Sequence, residues 1–269
     1  MADKKLYALI LGASSGFGEA VSKELASKGI NIYGVHMDTG SGKKRAEEIR
    51  DSLLKTGVEV KFFNTNAADD EKRKKVVETI KAEIEAQENA ELRVVLHTLA
   101  FGSMTTFFNK ENPEKAMTRK QIEMTLDVMA NSLVYWTQDL FNAGLLKQNG
   151  RIYAMTSIGS QRIMKSYGAV SAAKAALESY IRQIAVELAP YGVTANALMA
   201  GVTETPAAKK IPGFEPMLME AKRLNPSNRN THTVDIGKAI GMLISEDSYW
   251  ITGQTIQVDG GEGVINIFG

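Results

Sequence analysis

Residues 6–11, LYALIL, form an unbroken apolar run that leads straight into LGASSGFGEA, where Gly12, Gly16 and Gly18 precede a helical pattern. A strand that turns at once into a helix through glycines is the opening of a βαβ unit. The alternation then continues. Strand-like runs fall at 30–36, 58–64, 94–98, 151–155, 193–198 and 255–258. Helical patterns lie between them at 16–28, 43–55, 71–86, 121–143, 169–189 and 234–245, with Val21, Leu25 and Ala26 on one face of the first. Strands alternating with helices predict an α/β fold: a doubly wound parallel sheet of about seven strands, with helices on both faces because crossovers are right-handed. At 269 residues the chain suits one domain, 1–269, with one departure. Residues 203–229 break the alternation and read as a loop-and-helix insertion placed as a substrate lid.

Composition excludes several functions. With a formal net charge of +1, no field steers the chain to nucleic acid or to an anionic membrane. It has no cysteine, so disulfides, thiolate metal sites and cysteine nucleophiles are out. The three histidines, His36, His97 and His232, lack a zinc-ligand spacing, and no metal is expected. The apolar N-terminal run is too short to span a membrane and has no small-residue cleavage site. The expectation is a soluble, cytoplasmic protein.

The glycine turn carries the first functional signal. Glycines let the backbone approach a pyrophosphate, whose charge rests on the helix N-terminus. The candidates are Gly12, Ser14, Ser15, Gly16, Phe17 and Gly18. The plainer alternative is a βα turn with glycines for packing. In such sheets an acidic residue at the end of the second strand selects NAD by holding the ribose hydroxyls. Here His36 stands there, followed by Ser41, Lys43, Lys44 and Arg45. A neutral or cationic site accepts a 2′-phosphate, so NADPH is expected over NADH. Asp38 weighs against this, and the cations also suit a solvated helix start.

Four segments resemble the short-chain dehydrogenase/reductase superfamily, with its Rossmann fold: LGASSGFG, RIYAMTSIGS, SAAKAALESYIRQIAVELAPYGVTANAL and GQTIQVDGG. Common members use an Asn-Ser-Tyr-Lys set with tyrosine four before lysine. Here Val170 stands four before Lys174, and Met129 stands at the asparagine position with Asn131 two residues on. Tyr167 lies seven before Lys174, and LHTLAFG replaces the usual Asn-Asn-Ala-Gly segment. These features resemble the enoyl-acyl-carrier-protein reductase branch, most closely its NADPH-dependent type III enzymes. The resemblance implies reduction of a trans-2-enoyl thioester in fatty acid synthesis, with Tyr167, Lys174 and Ser157 catalytic. Ser157 also reads as a strand-end serine satisfying local backbone. The resemblance further implies cofactor contacts at Asn66, Ala67, Ala100, Gly201, Val202, Thr203 and Thr205, besides Lys174.

Residues seven apart on a helix differ by about 20° around the axis and about 10 Å along it, so phenol and ammonium share a face. Hydride addition to an enoyl thioester at the β-carbon leaves negative charge on the thioester oxygen, two atoms away. Tyr167 is the expected donor to that oxygen, and Lys174 is expected to hold the cofactor ribose and to favour a polarised or ionised phenol.

Apolar residues Ile211, Phe214 and Met217, facing Phe101 and Met104, are expected to line an acyl channel. Lys209, Lys210, Lys222 and Arg223 are candidates for meeting an acidic acyl carrier protein, or are simply solvated. The resemblance also implies a homotetramer or homodimer, in which the apolar tail GVINIFG packs on a partner subunit.

Overall fold

The computed structural model describes residues 4–264. Seven strands form one sheet: β1 (Lys5–Leu11), β2 (Asn31–His36), β3 (Val60–Asn64), β4 (Ala90–His97), β5 (Arg151–Ser157), β6 (Thr194–Ala200) and β7 (Thr255–Val258). Every neighbouring pair is parallel, in the order β3-β2-β1-β4-β5-β6-β7. The chain therefore winds outward from β1 to β3, then returns to lay β4 against the other side of β1. At that reversal the two crossovers diverge to opposite faces and leave a crevice beyond the strand C-termini.

Among the described residues there are eight α-helices: α1 (Gly16–Ser27), α2 (Ser41–Leu54), α3 (Asp70–Glu85), α4 (Arg119–Leu126), α5 (Ser132–Asn142), α6 (Gly168–Leu188), α7 (Phe214–Leu224) and α8 (Thr233–Leu243). Successive side chains of β1 feed two separate cores. Tyr7, Leu9 and Leu11 pack with Trp136 and Leu177 on one face, and Ala8 and Ile10 pack with Leu25 and Ile236 on the other. Strands buried on both faces read as continuous apolar runs, which is why β1 was legible.

Two expectations are revised. Strand β4 starts at Ala90 rather than 94, because Lys5 and Leu6 pair with Ala90 and Glu91. Its charged residues hid this: Arg93 is buried and donates to Glu91 at 2.6 Å. The long helix expected over 121–143 is two helices joined by a π turn at Asp127–Asn131. No proline or glycine between 119 and 142 announces it. Ser132 Oγ donates to Val128 O across the turn at 2.8 Å, and Asn131 Oδ1 accepts from the Tyr180 hydroxyl at 3.0 Å. Asn131 is thus spent on tying α5 to α6.

The segment 203–229 holds a 3₁₀ turn at Ala208–Lys210 and helix α7. Among the described residues no helix is long and apolar enough to cross a membrane, and no three acidic or histidine side chains cluster as metal ligands. Of the apolar tail, residues 265–269 lie outside the described residues.

The β1–α1 turn is the tightest point of the fold. Gly12 has φ +99°, and a Cβ on Gly18 would lie 2.0 Å from Gly12 O. Relief requires backbone movement, so Gly18→Ala is expected to lower unfolding free energy by more than about 2 kcal/mol. Chemical denaturation measures this, and an unchanged midpoint would mean the turn has slack.

Candidate active site

A cavity of about 570 Å³ opens at the C-terminal ends of the strands, over the point where strand order reverses. The β1–α1 turn supplies Gly12, Ser14, Ser15, Gly16 and Phe17 to its wall. The ends of β2 and β3 bring His36, Asp38, Asn66 and Ala67, and the loop after β4 brings Ala100, Phe101 and Met104. Ser157 comes from the end of β5, and Tyr167 and Lys174 from the start of α6. Gly201, Val202, Thr203 and Thr205 follow β6, with Ile211 and Met217 beyond them.

Two expected residues are absent from this wall. Gly18 is buried against Gly12 and serves packing. Phe214, the first residue of α7, is only 4% exposed and faces the interior rather than the channel. Several lining residues were not foreseen, including Met124, Val128 and Met164. Met124 and Val128 are four apart on one helical face, so an amphipathic reading of 121–128 would have found them.

At one end the cavity meets the N-terminus of α1. Ser15 takes the N-cap position with extended backbone, and its hydroxyl makes no capping bond. First-turn N–H groups without a side-chain partner, beside glycines with no Cβ, fit a pyrophosphate. At the end of β2, His36 Nδ1 lies 2.9 Å from Asp38 Oδ2. Asn64 clamps the Asp38 backbone, accepting from its N–H at 3.0 Å and donating to its carbonyl at 2.9 Å. The expected cations stand apart. None of Lys43, Lys44 and Arg45 lines the cavity, and Arg45 donates to Glu19 at 2.9 Å.

At the other end, Tyr167 occupies the N-cap of α6, one residue outside the helix proper. Its carbonyl already accepts from Ser171 N at 2.8 Å, so it shares the helical frame that carries Lys174. Its ring lies over Gly159, where an added Cβ would come within 2.6 Å of the ring edge. The Ser171 hydroxyl donates to Gly159 O and locks that turn to α6. Burial raises the Tyr167 pKa, with Ser157 pulling weakly the other way. The two hydroxyls do not reach bonding geometry, because Ser157 Oγ is buried without a partner. Lys174 does not figure among the influences on Tyr167, and the raised pKa keeps its O–H protonated as a donor.

Lys174 Nζ is buried and donates to Met155 O at 2.7 Å. Burial pushes its pKa down to about 8, with Glu178 opposing. Glu178 is itself buried and accepts from Thr156 Oγ1 at 2.5 Å. Beside them, burial and then Lys174 drive His97 down to about 3, so its ring is neutral. Ser132 Oγ spends its proton on Val128 O, which makes His97 Nε2 the donor in their 2.9 Å contact. His97 Nδ1 is left without a partner.

The two departures from the common short-chain set sit together. A Cβ on Gly102 would meet Met129 Sδ at 2.8 Å and Val170 Cγ2 at 3.0 Å, and all three residues line the cavity. Where the common set places a phenol and an amide, this chain has one continuous apolar wall. Toward solvent, Lys209 pairs with Glu204 at 2.6 Å and Arg223 with Glu220 at 2.8 Å, whereas Lys210 lines the cavity.

The depressed Lys174 pKa has a consequence for stability. Between about 8 and the ordinary 10.5, the unfolded chain binds the proton that the folded chain has lost. The contribution of Lys174 to stability therefore rises with pH across that window. The wild-type unfolding free energy minus that of Lys174→Met is expected to grow by a few kcal/mol from pH 8 to 10.5. A constant difference in denaturant titrations would mean that Lys174 keeps an ordinary pKa.

Known proteins resemble this chain over most of its length. Enoyl-[acyl-carrier-protein] reductase [NADH] FabI of Aquifex aeolicus is 28% identical over 178 residues, covering 66% of this chain and 64% of its own. Enoyl-[acyl-carrier-protein] reductase [NADPH] FabI of Staphylococcus aureus is 30% identical over 167 residues, covering 62% and 63%. The chain thus spans somewhat less than two thirds of the length of these two relatives. The crystal structure of the Aquifex aeolicus enzyme superposes with a TM-score of 0.84 at 24% identity, over 98% of this chain and 99% of that one, which is a likeness of fold. The model of the family described as Enoyl-(Acyl carrier protein) reductase matches residues 12–262. With the match running over nearly the whole chain, the protein belongs to the enoyl-(acyl carrier protein) reductase family.

Proposed function

We propose that the protein reduces a trans-2-enoyl thioester, presented by acyl carrier protein, to the saturated acyl thioester as a step of fatty acid synthesis. The observation that carries this reading is the pairing of a protonated Tyr167 with Lys174 in one cavity, whose wall also holds the apolar Met129 and Val170. A ketone reductase needs a proton donor four before the lysine, at the carbonyl being reduced. Here that position is an apolar Val170. The uncapped α1 terminus, the glycine turn and Gly201–Thr205 would hold a nicotinamide dinucleotide, with Lys174 at its ribose. When bound, the reduced nicotinamide supplies the two electrons that the β-carbon takes up.

The chain's own residues stabilise the enolate that this leaves, before a proton reaches the α-carbon. Tyr167 donates its O–H toward the thioester oxygen, where negative charge accumulates as the β-carbon is reduced. Its raised pKa keeps the proton on the phenol until then. Burial strengthens that bond, since no bulk water competes for the oxygen. Ser157 Oγ, unpartnered and close to Tyr167, is a second donor to the same oxygen. Met104, Met129 and Met217 give the acyl chain flexible apolar walls, and segment 203–229 closes over it as a lid. Lys210 at the rim is the cation best placed for an acidic carrier.

Tyr167→Phe is expected to lower kcat on a crotonyl thioester by about 100-fold or more. Lys174→Ala should lose turnover and also weaken cofactor binding. Cofactor oxidation with crotonyl and acetoacetyl thioesters in parallel separates this reading from 3-ketoacyl-thioester reduction. Near-normal kcat in Tyr167→Phe, or faster turnover of the acetoacetyl thioester, would sink it.

For the cofactor we propose NADPH. The residue ending β2 is His36 rather than a carboxylate, and its ring engages Asp38. Asp38 at the cavity wall is the feature that favours NADH instead. The expected result is a higher kcat/KM with NADPH; a clear preference for NADH in the same assay reverses the assignment.

A further inference from the structure

The loop after β6 is held by a residue that the chemistry above does not use. Gly201, Val202 and Thr203 line the cavity, and Glu262 does not. Yet the Val202 N–H donates to both carboxylate oxygens of Glu262, at 3.1 and 3.3 Å. Glu262 therefore holds this stretch of wall from outside the cavity.

Its seat is built by its own turn and two other segments. Asp259, itself buried, accepts from Gly261 N at 2.9 Å and Gly263 N at 2.8 Å, and so shapes the turn that presents Glu262. Arg162, from the connection between β5 and α6, donates to Gly263 O at 3.4 Å. Gly201 fits without clearance: an added Cβ would lie 2.4 Å from Thr231 Oγ1 and 2.6 Å from Glu262 Oε2. The loop is thus confined on its outer side by Thr231 and Glu262, and its free side is the cavity.

We infer that Glu262 is a positioning residue for nicotinamide-cofactor binding, setting through Val202 N–H where the Gly201–Thr203 wall stands. This rests on reading the cavity as a dinucleotide site. Glu262 does not touch the ligand. It acts by sparing the loop the cost of ordering when the ligand arrives. The charged groups facing it are Asp259 on its own turn and Arg162 across from it. Burial raises its pKa, Val202 N–H lowers it, Asp259 raises it and Arg162 lowers it, with a net rise. A raised carboxyl takes up its proton at a higher pH than an ordinary glutamate does. The charge-assisted bond to Val202 is then lost, so cofactor binding weakens as pH falls through that value.

The test is fluorescence titration of NADPH, and separately NADH, into wild type, Glu262→Ala and Glu262→Gln from pH 8 to 5. Glu262→Ala is expected to bind about tenfold more weakly at pH 8, in line with loss of a charge-assisted hydrogen bond. Its KM for the enoyl thioester at saturating cofactor should not change. Glu262→Gln keeps an acceptor and the shape. It should recover part of the affinity at pH 8, to the level that wild type keeps at low pH, and lose the acid limb that wild type shows. Comparing the two with one cofactor cancels the ligand's own titration. Wild-type affinity in Glu262→Ala, or a wild-type pH profile in Glu262→Gln, would overturn the inference. Absence of binding of either cofactor to wild type would instead overturn the dinucleotide reading of the cavity.

Discussion

Because all seven strands are parallel, no hairpin can join neighbours, and every return must cross a face of the sheet. That constraint buries β1, β4 and β5 on both faces. It also gathers every strand's C-terminal end along one edge, where loops and helix starts meet. The reversal between β1 and β4 then parts the crossovers and leaves a crevice. Residues as far apart in the chain as Gly12, Ser157 and Gly201 come together there because each lies at or just beyond the end of a strand.

Within the crevice, the strongest local determinant is a buried ammonium. Moving a lysine out of water costs several kcal/mol unless bonds replace its hydration. Lys174 has one carbonyl, Met155 O, and a nearby carboxylate, Glu178. That is incomplete compensation, and the depressed pKa records it. A group with two further N–H donors in a dry cavity wall is poised to take hydroxyl acceptors from a ligand. The unpartnered Ser157 Oγ adds another unmet hydrogen-bonding group at the same place. Leaving such groups unpaired costs about 1–3 kcal/mol each, and a ligand that pairs them recovers that cost.

Met129 and Val170 show why the departures come as a pair. Both press on the α face of Gly102, so a polar group at either position would be buried against the other's apolar surface. An unpaired hydroxyl or amide there would cost more than the packing it replaced. Their joint apolar character leaves Tyr167 as the phenol at the head of α6 in the cavity wall, and directs attention from position 170 to position 167.

Much of this was written in the local pattern. The run 6–11, its glycine turn and the alternation after it dictate a parallel sheet, since strands buried on both faces must be continuously apolar and only glycine permits the Gly12–Gly18 approach. Tyr167 and Lys174 share a helix face by spacing alone. What the pattern could not contain depends on partners distant in sequence. The start of β4 was hidden because Arg93 is buried only with Glu91 beside it. The π turn has no local signal, since its stability comes from Ser132, Tyr180 and the packing of α6. Phe214 reads as a channel residue by its chemistry, and only the docking of α7 turns it inward. The protonation of Tyr167 and the lowered pKa of Lys174 belong to the tertiary structure as well, because desolvation is a property of what surrounds a group. The sequence by itself determined which strands and turns form, through short-range sterics and periodicity. The assembled fold alone decided which polar groups lost their water, and with that the chemistry of the site.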